Sequence, residues 1–142
     1  MNNNKIGIIG AMNEEVVELT AMIEDKKTRT VAGMTFNEGR IKGLDVVVVE
    51  CGIAKVNAAM CTQILISEFG VGALINTGVA GALKEDLNIN DVVISTDAIQ
   101  YDVDASSLGD PKGTIPRMKT SVFVADSSLI DMAYESFLEG ES

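Results

Sequence analysis

No histidine occurs anywhere in the sequence, and that absence removes Ser-His-Asp and Cys-His catalysis together with the usual zinc sites. Acid–base chemistry then falls to carboxylates. Cysteine is nearly as scarce: Cys51 and Cys61 are the only two, lack metal-ligand spacing, and read as reduced core thiols rather than a staple. Basic residues are few as well. With 11 Lys and Arg against 21 Asp and Glu, a net charge of −10, the composition excludes a sequence-independent grip on nucleic acid phosphates or an anionic lipid surface. No apolar run approaches the roughly 20 residues that span a bilayer, and residues 1–5 lack the apolar core of a signal peptide. The expected setting is cytoplasmic. The expected partner is a small molecule or another protein, with no nucleic acid, no membrane, no metal and no cofactor.

What is present is enough for one folded unit. At 142 residues and 46% hydrophobic content, the chain is expected to form a single α/β domain over 1–142 that buries about two-thirds of its unfolded surface. Residues 6–9 form a short apolar run bounded by glycine, and Val16, Leu19, Met22 and Ile23 then recur at helical spacing behind Asn13, a candidate N-cap. Strands are predicted over 28–31, 35–41 and 44–50, separated by Gly33 and by the turn Lys42-Gly43. The run 46–49 is apolar on both faces, as in a central covered strand. A helix follows over 55–69 and stops before Gly70, then a buried strand over 72–76 and another over 91–95. The polar segment 101–120 contains Pro111 and Pro116, both prolines of the chain, and ordered loops of this length tend to be functional. Asp126 caps a last helix from about 127 to 138. Strands alternating with helices predict a mixed, largely central β-sheet flanked by helices. The pattern ends behind a helix where a further strand is expected, so the fold reads as incomplete on its C-terminal side.

Three strand-to-helix or strand-to-loop turns carry the candidate chemistry. After the first strand, Gly7-Ile-Ile-Gly10 lacks the G-x-G-x-x-G of a dinucleotide site. Glu14 and Glu15 already occupy the first helical turn, where the dipole would otherwise attract a phosphate. Two readings stay open for this acidic pair. Carboxylates in a first turn stabilise a helix by themselves, by a few tenths to about 1 kcal/mol. Alternatively, one of them points into the crevice at the carboxyl ends of the strands, where open α/β sheets bind ligands. The second turn is Asn76-Thr-Gly-Val-Ala-Gly81, whose glycines let a backbone approach a ligand closely, and the third is Cys51-Gly-Ile-Ala-Lys55. All three lie at predicted strand C-termini and are expected to line one crevice.

Taken together, Lys-Ile-Gly-Ile-Ile-Gly-Ala-Met-Asn-Glu-Glu-Val over 5–16, Cys-Gly-Ile-Ala-Lys-Val-Asn-Ala-Ala over 51–59, Asn-Thr-Gly-Val-Ala-Gly-Ala-Leu over 76–83 and Asn-Asp-Val-Val-Ile-Ser over 90–95 resemble one family. It is that of the 5′-methylthioadenosine/S-adenosylhomocysteine nucleosidases, in the nucleoside phosphorylase superfamily. The resemblance implies a nucleoside phosphorylase-like fold and hydrolysis of the N-glycosidic bond of a small nucleoside, releasing adenine, as part of methionine salvage. By position, Glu15 matches the glutamate that activates the attacking water. Met12, Ile53, Val79, Ala80 and Gly81 match positions lining the sugar and alkylthio parts of the pocket. Val79 stands where some members carry serine, and Asn76 where related phosphorylases carry a phosphate-holding arginine. Cleavage builds positive charge on the ribose, which a carboxylate stabilises, so an acidic turn suits this chemistry.

The resemblance also implies a homodimer in which the segment 101–118 reaches toward the neighbouring subunit. It covers only the N-terminal part of the family's roughly 230 residues. The aspartate that protonates the purine, the pair that holds the ribose hydroxyls and the base-stacking segment have no match in 1–142. General acid–base catalysis is worth roughly 10² to 10⁴ in rate, so the 142-residue chain alone is expected to be inactive or severely impaired. Two other readings share the fold: another purine nucleosidase or phosphorylase of the superfamily, and a non-catalytic fragment acting only as a binding or dimerisation module.

Overall fold

The apolar run at 46–49 sets the architecture. In the computed structural model, which describes residues 4–140, Val46 is 3% exposed and Val47, Val48 and Val49 are fully buried, so this strand is covered on both faces. The chain divides into two compact units, Met1–Gly81 and Ala82–Ser142. In the first unit β1 (Ile6–Gly10), α1 (Asn13–Ala21), β2 (Glu24–Val31), β3 (Met34–Ile41), β4 (Leu44–Glu50), α2 (Lys55–Phe69) and β5 (Ala73–Asn76) follow in order. They build a five-stranded sheet in the order β2-β3-β4-β1-β5. Strand β1 pairs in parallel with both β4 and β5, while β2, β3 and β4 are antiparallel neighbours. The mixed α/β sheet expected from the sequence is the one found.

Side chains alternate across this sheet because strand residues point to opposite faces. One face gathers Ile9, Phe36, Val47 and Val49 with Cys61, Leu65 and Phe69 of α2, and Phe36 stacks on Phe69 with ring centroids 4.8 Å apart. The other face gathers Val46 and Val48 with Val16 of α1 and with Ile23. The two hairpin turns fall at Ala32-Gly33 and Lys42-Gly43, each with φ near +50° and then +81°. Two successive residues of positive φ match the twist of the flanking strands, and glycine fills the second position at no steric cost. Strand β2 starts four residues before the expected 28, because Glu24 pairs with Arg40 across a bulge. Its charged side chains are exposed, so no apolar pattern marks that start.

The second unit holds a two-stranded antiparallel ribbon, β6 (Asp97–Ile99) with β7 (Val122–Val124), a single 3-10 turn at Ser106–Leu108 and helix α3 (Ser127–Gly140). Asp126 caps α3 as expected, accepting from the Ser128 and Leu129 amides at 2.9 and 3.2 Å. The segment between β6 and β7 is ordered by its own contacts. Asp104 accepts from the Ser106 amide at 3.0 Å and pairs with Lys112, and the Gly113 amide donates to the Val103 carbonyl at 2.8 Å. The strand expected over 91–95 is not formed. No strand pairs with it among the described residues, and Val92 and Val93 are 63% and 69% exposed. Strand preference expresses packing against neighbours rather than a property of the isolated backbone. Among the described residues, no helix is long and apolar enough to cross a membrane.

Candidate functional site

Parallel pairing brings three chain turns to one edge of the first unit's sheet. Gly10 lies opposite Glu50 and Ile9 opposite Asn76, so β1, β4 and β5 end side by side. Two backbone bonds extend this pairing into the turns. The Cys51 amide donates to the Gly10 carbonyl and the Thr77 amide to the Ile9 carbonyl, each at 2.9 Å. The turns after β1, β4 and β5 are therefore neighbours, at the crevice position where parallel sheets offer ligands the ends of their strands.

Glu15 occupies this edge and Glu14 does not share its place: Glu14 is exposed and Glu15 half-buried. The Glu15 carboxylate turns back on its own helix. Its Oε2 accepts from the Ala11 and Met12 amides at 2.6 and 3.0 Å, and its Oε1 accepts from the Val79 amide at 3.0 Å. Asn13, the expected N-cap, is instead the first helical residue behind Met12. A glutamate three positions in reaches back to the Met12 amide, as the acidic member of a capping box does, so the polar side chain at 13 is not needed there. Hydrogen bonds to the ionised form hold the Glu15 carboxyl below the ordinary carboxylate range, the Val79 amide contributing most, then Met12 and Ala11, with partial desolvation opposing. The group is a carboxylate at neutral pH.

The turn after β4 is built differently. Ala54 has φ 87° and ψ 153°, a region otherwise kept for glycine, and the Asn57 amide side chain donates to the Ile53 carbonyl at 2.8 Å. That bond ties the first turn of α2 back to Ile53. Ile53 is 69% exposed and Val79 81% exposed, with Ala80 and Gly81 also on the surface. Of the positions singled out in the sequence, Met12, Glu15 and Val79 are directly joined through backbone amides on one carboxylate. Ile53, Ala80 and Gly81 stand in the flanking turns with no bond to Glu15. Cys51 is buried behind the turn, and its thiol is pushed up by burial and further by the charge of Glu15 and Glu50. Gly78 reads in the sequence only as a glycine of the second turn, with no link to Glu15, and Asn57 is not singled out. Asn57 lay inside a recognised motif, but its bond to Ile53 depends on the turn's conformation. Among the described residues, no group of three or more Cys, Asp or Glu is arranged to hold a metal.

A five-stranded mixed sheet with a carboxylate locked at the carboxyl ends of its parallel strands places the chain in a recognisable class. The sequence matches the phosphorylase superfamily over residues 5–141, and the chain belongs to that family. Within it, the chain is similar to proteins of one kind. It is 46% identical to the 5′-methylthioadenosine/S-adenosylhomocysteine nucleosidase of Treponema pallidum, over 93% of this chain and 49% of that protein. Its fold superposes with a TM-score of 0.92 on the nucleosidase of Neisseria meningitidis in complex with methylthio-immucillin-A, at 35% identity over 98% of this chain and 60% of that one. It also superposes with a TM-score of 0.89 on the nucleosidase of Colwellia psychrerythraea in complex with adenine, at 39% identity over 94% and 55% of the two chains. The chain thus spans about half to three-fifths of the length of these relatives.

Proposed function

We propose that the polypeptide carrying these residues hydrolyses the N-glycosidic bond of 5′-methylthioadenosine and S-adenosylhomocysteine, releasing adenine, with Glu15 as the water-activating carboxylate. The observation that carries this reading is the Glu15 carboxylate itself. A carboxylate has roughly four lone-pair positions, and three backbone amides occupy three of them. The remaining position, on Oε1, is available to one water. As the C1′–N9 bond breaks, its electrons leave with adenine and positive charge grows on the ribose. The carboxylate stabilises that charge and takes a proton from the water whose oxygen bonds to C1′. Met12, Ile53, Val79, Ala80 and Gly81 would line the sugar and alkylthio group beside it.

Water rather than phosphate is the favoured nucleophile. The end of β5 carries the neutral Asn76, and the Glu15 carboxylate, bonded to the Val79 amide three residues further on, repels a phosphate. A homodimer belongs to the same proposal: Ile53 in the turn before α2 and Val56 and Met60, four apart near its start, are 69%, 73% and 40% exposed. So does a cytoplasmic setting, in keeping with two free, buried thiols. The test is adenine release from methylthioadenosine by the 142-residue chain and by any longer polypeptide that carries it, with and without phosphate. Glu15→Gln should lower the turnover of whichever form is active by about 10²-fold or more, with no dependence on phosphate. Wild-type-like turnover in Glu15→Gln would remove the assignment. Undiminished turnover by the 142-residue chain would place the acid that protonates adenine within it.

A further inference from the structure

A carboxylate held by three amides from two separate turns needs room on every side, and the chain supplies that room at one position with no other evident use. Gly78 does not adopt a positive φ, so its backbone would accept any residue. Space is the requirement. A Cβ built on Gly78 would sit 2.7 Å from the Glu15 Cδ and 3.1 Å from its Oε2, and closer still to Oε1. Carbon atoms of real side chains do not approach that closely. The three nearest atoms all belong to the Glu15 carboxylate. Gly10, by contrast, faces the Val16 side chain first and Glu15 second, so its glycine is explained by core packing. The Val79 amide that bonds Oε1 follows Gly78 directly in the chain.

We propose that Gly78 is a positioning residue for Glu15: its missing side chain is the space in which the carboxylate lies while it bridges the turns after β1 and β5. The proposal rests on the reading of Glu15 as the water-activating group, and gives that group a second-site requirement in the chain. Because the atoms a methyl would strike are the free end of a flexible side chain, Gly78→Ala need not disrupt the backbone. The glutamate can swing away instead. It then loses the Val79 amide, the largest single cause of its lowered pKa, and with it the place of the water on Oε1.

The test is a double-mutant cycle in the 142-residue chain, combining Gly78→Ala with Glu15→Ala and reading three quantities: the denaturation midpoint, the titration of the Glu15 carboxyl by carbon-13 shift, and hydrogen exchange at the Val79 amide. Gly78→Ala in the parent background should lower the midpoint, raise the Glu15 titration toward an ordinary carboxylate and speed exchange at Val79. In the Glu15→Ala background, the same substitution should leave the midpoint unchanged. An equal loss in both backgrounds, or a Glu15 titration unmoved in folded Gly78→Ala, would overturn the proposal. Should Gly78→Ala fail to fold, recovery of the fold in the double variant supports the proposal and continued failure refutes it. Adenine release enters none of these readouts, so the nucleosidase reading and this one can fail separately.

Discussion

Replacing Ala54 with glycine should stabilise the protein, although glycine is normally a destabilising choice. At φ 87° and ψ 153° an L-residue is held where its Cβ crowds the backbone, and such a conformation costs of order 1–3 kcal/mol. Glycine removes that strain but adds freedom to the unfolded chain, which offsets about 0.4–1 kcal/mol. The net gain is then about 1 kcal/mol. With a urea slope of roughly 1–3 kcal/mol/M, typical of small proteins, the midpoint should rise by about 0.3–1 M. Ala54→Val should move it the other way, because branching at Cβ aggravates the same clash. Asn57→Ala should also lower the stability, by about 1 kcal/mol, through the lost bond to the Ile53 carbonyl. A midpoint for Ala54→Gly that falls below that of the parent would show that no strain is stored in this turn. The reasoning that the turn orients Ile53 by constraint would then fail with it.

Two further outcomes follow from the titrating groups. Glu15 has its carboxyl lowered in the folded state, so the stability it contributes is fully present above its unfolded value near 4.5 and is lost as the pH falls through the lower folded value. Denaturation midpoints measured downward from pH 6 should therefore drop more steeply for the parent than for Glu15→Gln, and parallel curves would contradict the bonding seen at the strand ends. Cys61 is fully buried and its thiol is pushed up to about 12, so it carries almost no thiolate at pH 8. A thiol reagent should leave Cys61 unmodified in the native protein and label it on unfolding, and rapid native labelling of Cys61 would place α2 differently.

The parts of the fold most legible in the sequence were those where one local signal sufficed. Helix α2 runs over the 55–69 that its spacing and Gly70 predict, and the buried valines and the Lys42-Gly43 turn define β4 and its hairpin. Legibility failed where the decisive partner is remote in sequence. Residues 91–95 have the composition of a strand and no neighbour to pair with among the described residues, whereas Glu24 lies in a strand on account of Arg40. The site shows the same division. The three turns at strand ends are visible from their glycines, whereas only the family resemblance separates Glu15 from Glu14. In the sequence Gly78 is one of the glycines that let this turn approach a ligand; only the folded chain shows that the space beside it is filled by a side chain 63 positions away.

The two readings of the acidic first turn turn out not to compete. As the capping residue, Glu15 satisfies the Met12 and Ala11 amides at the positive end of α1, and any helix of this kind gains from a carboxylate there. As the candidate water-activating residue it needs to be ionised, fixed in direction and left with one open lone pair. The first role supplies part of what the second requires: the Met12 and Ala11 amides that cap the helix also help to keep the group charged, after the larger contribution of Val79. The cap alone leaves Oε1 without a fixed partner, and the Val79 amide from beyond β5 provides it. On the proposed reading, a local helix signal becomes a site only when the third strand of the parallel set delivers that amide. The distinction between a stabilising carboxylate and a chemical one therefore lies in β5 and its turn, outside the acidic motif itself.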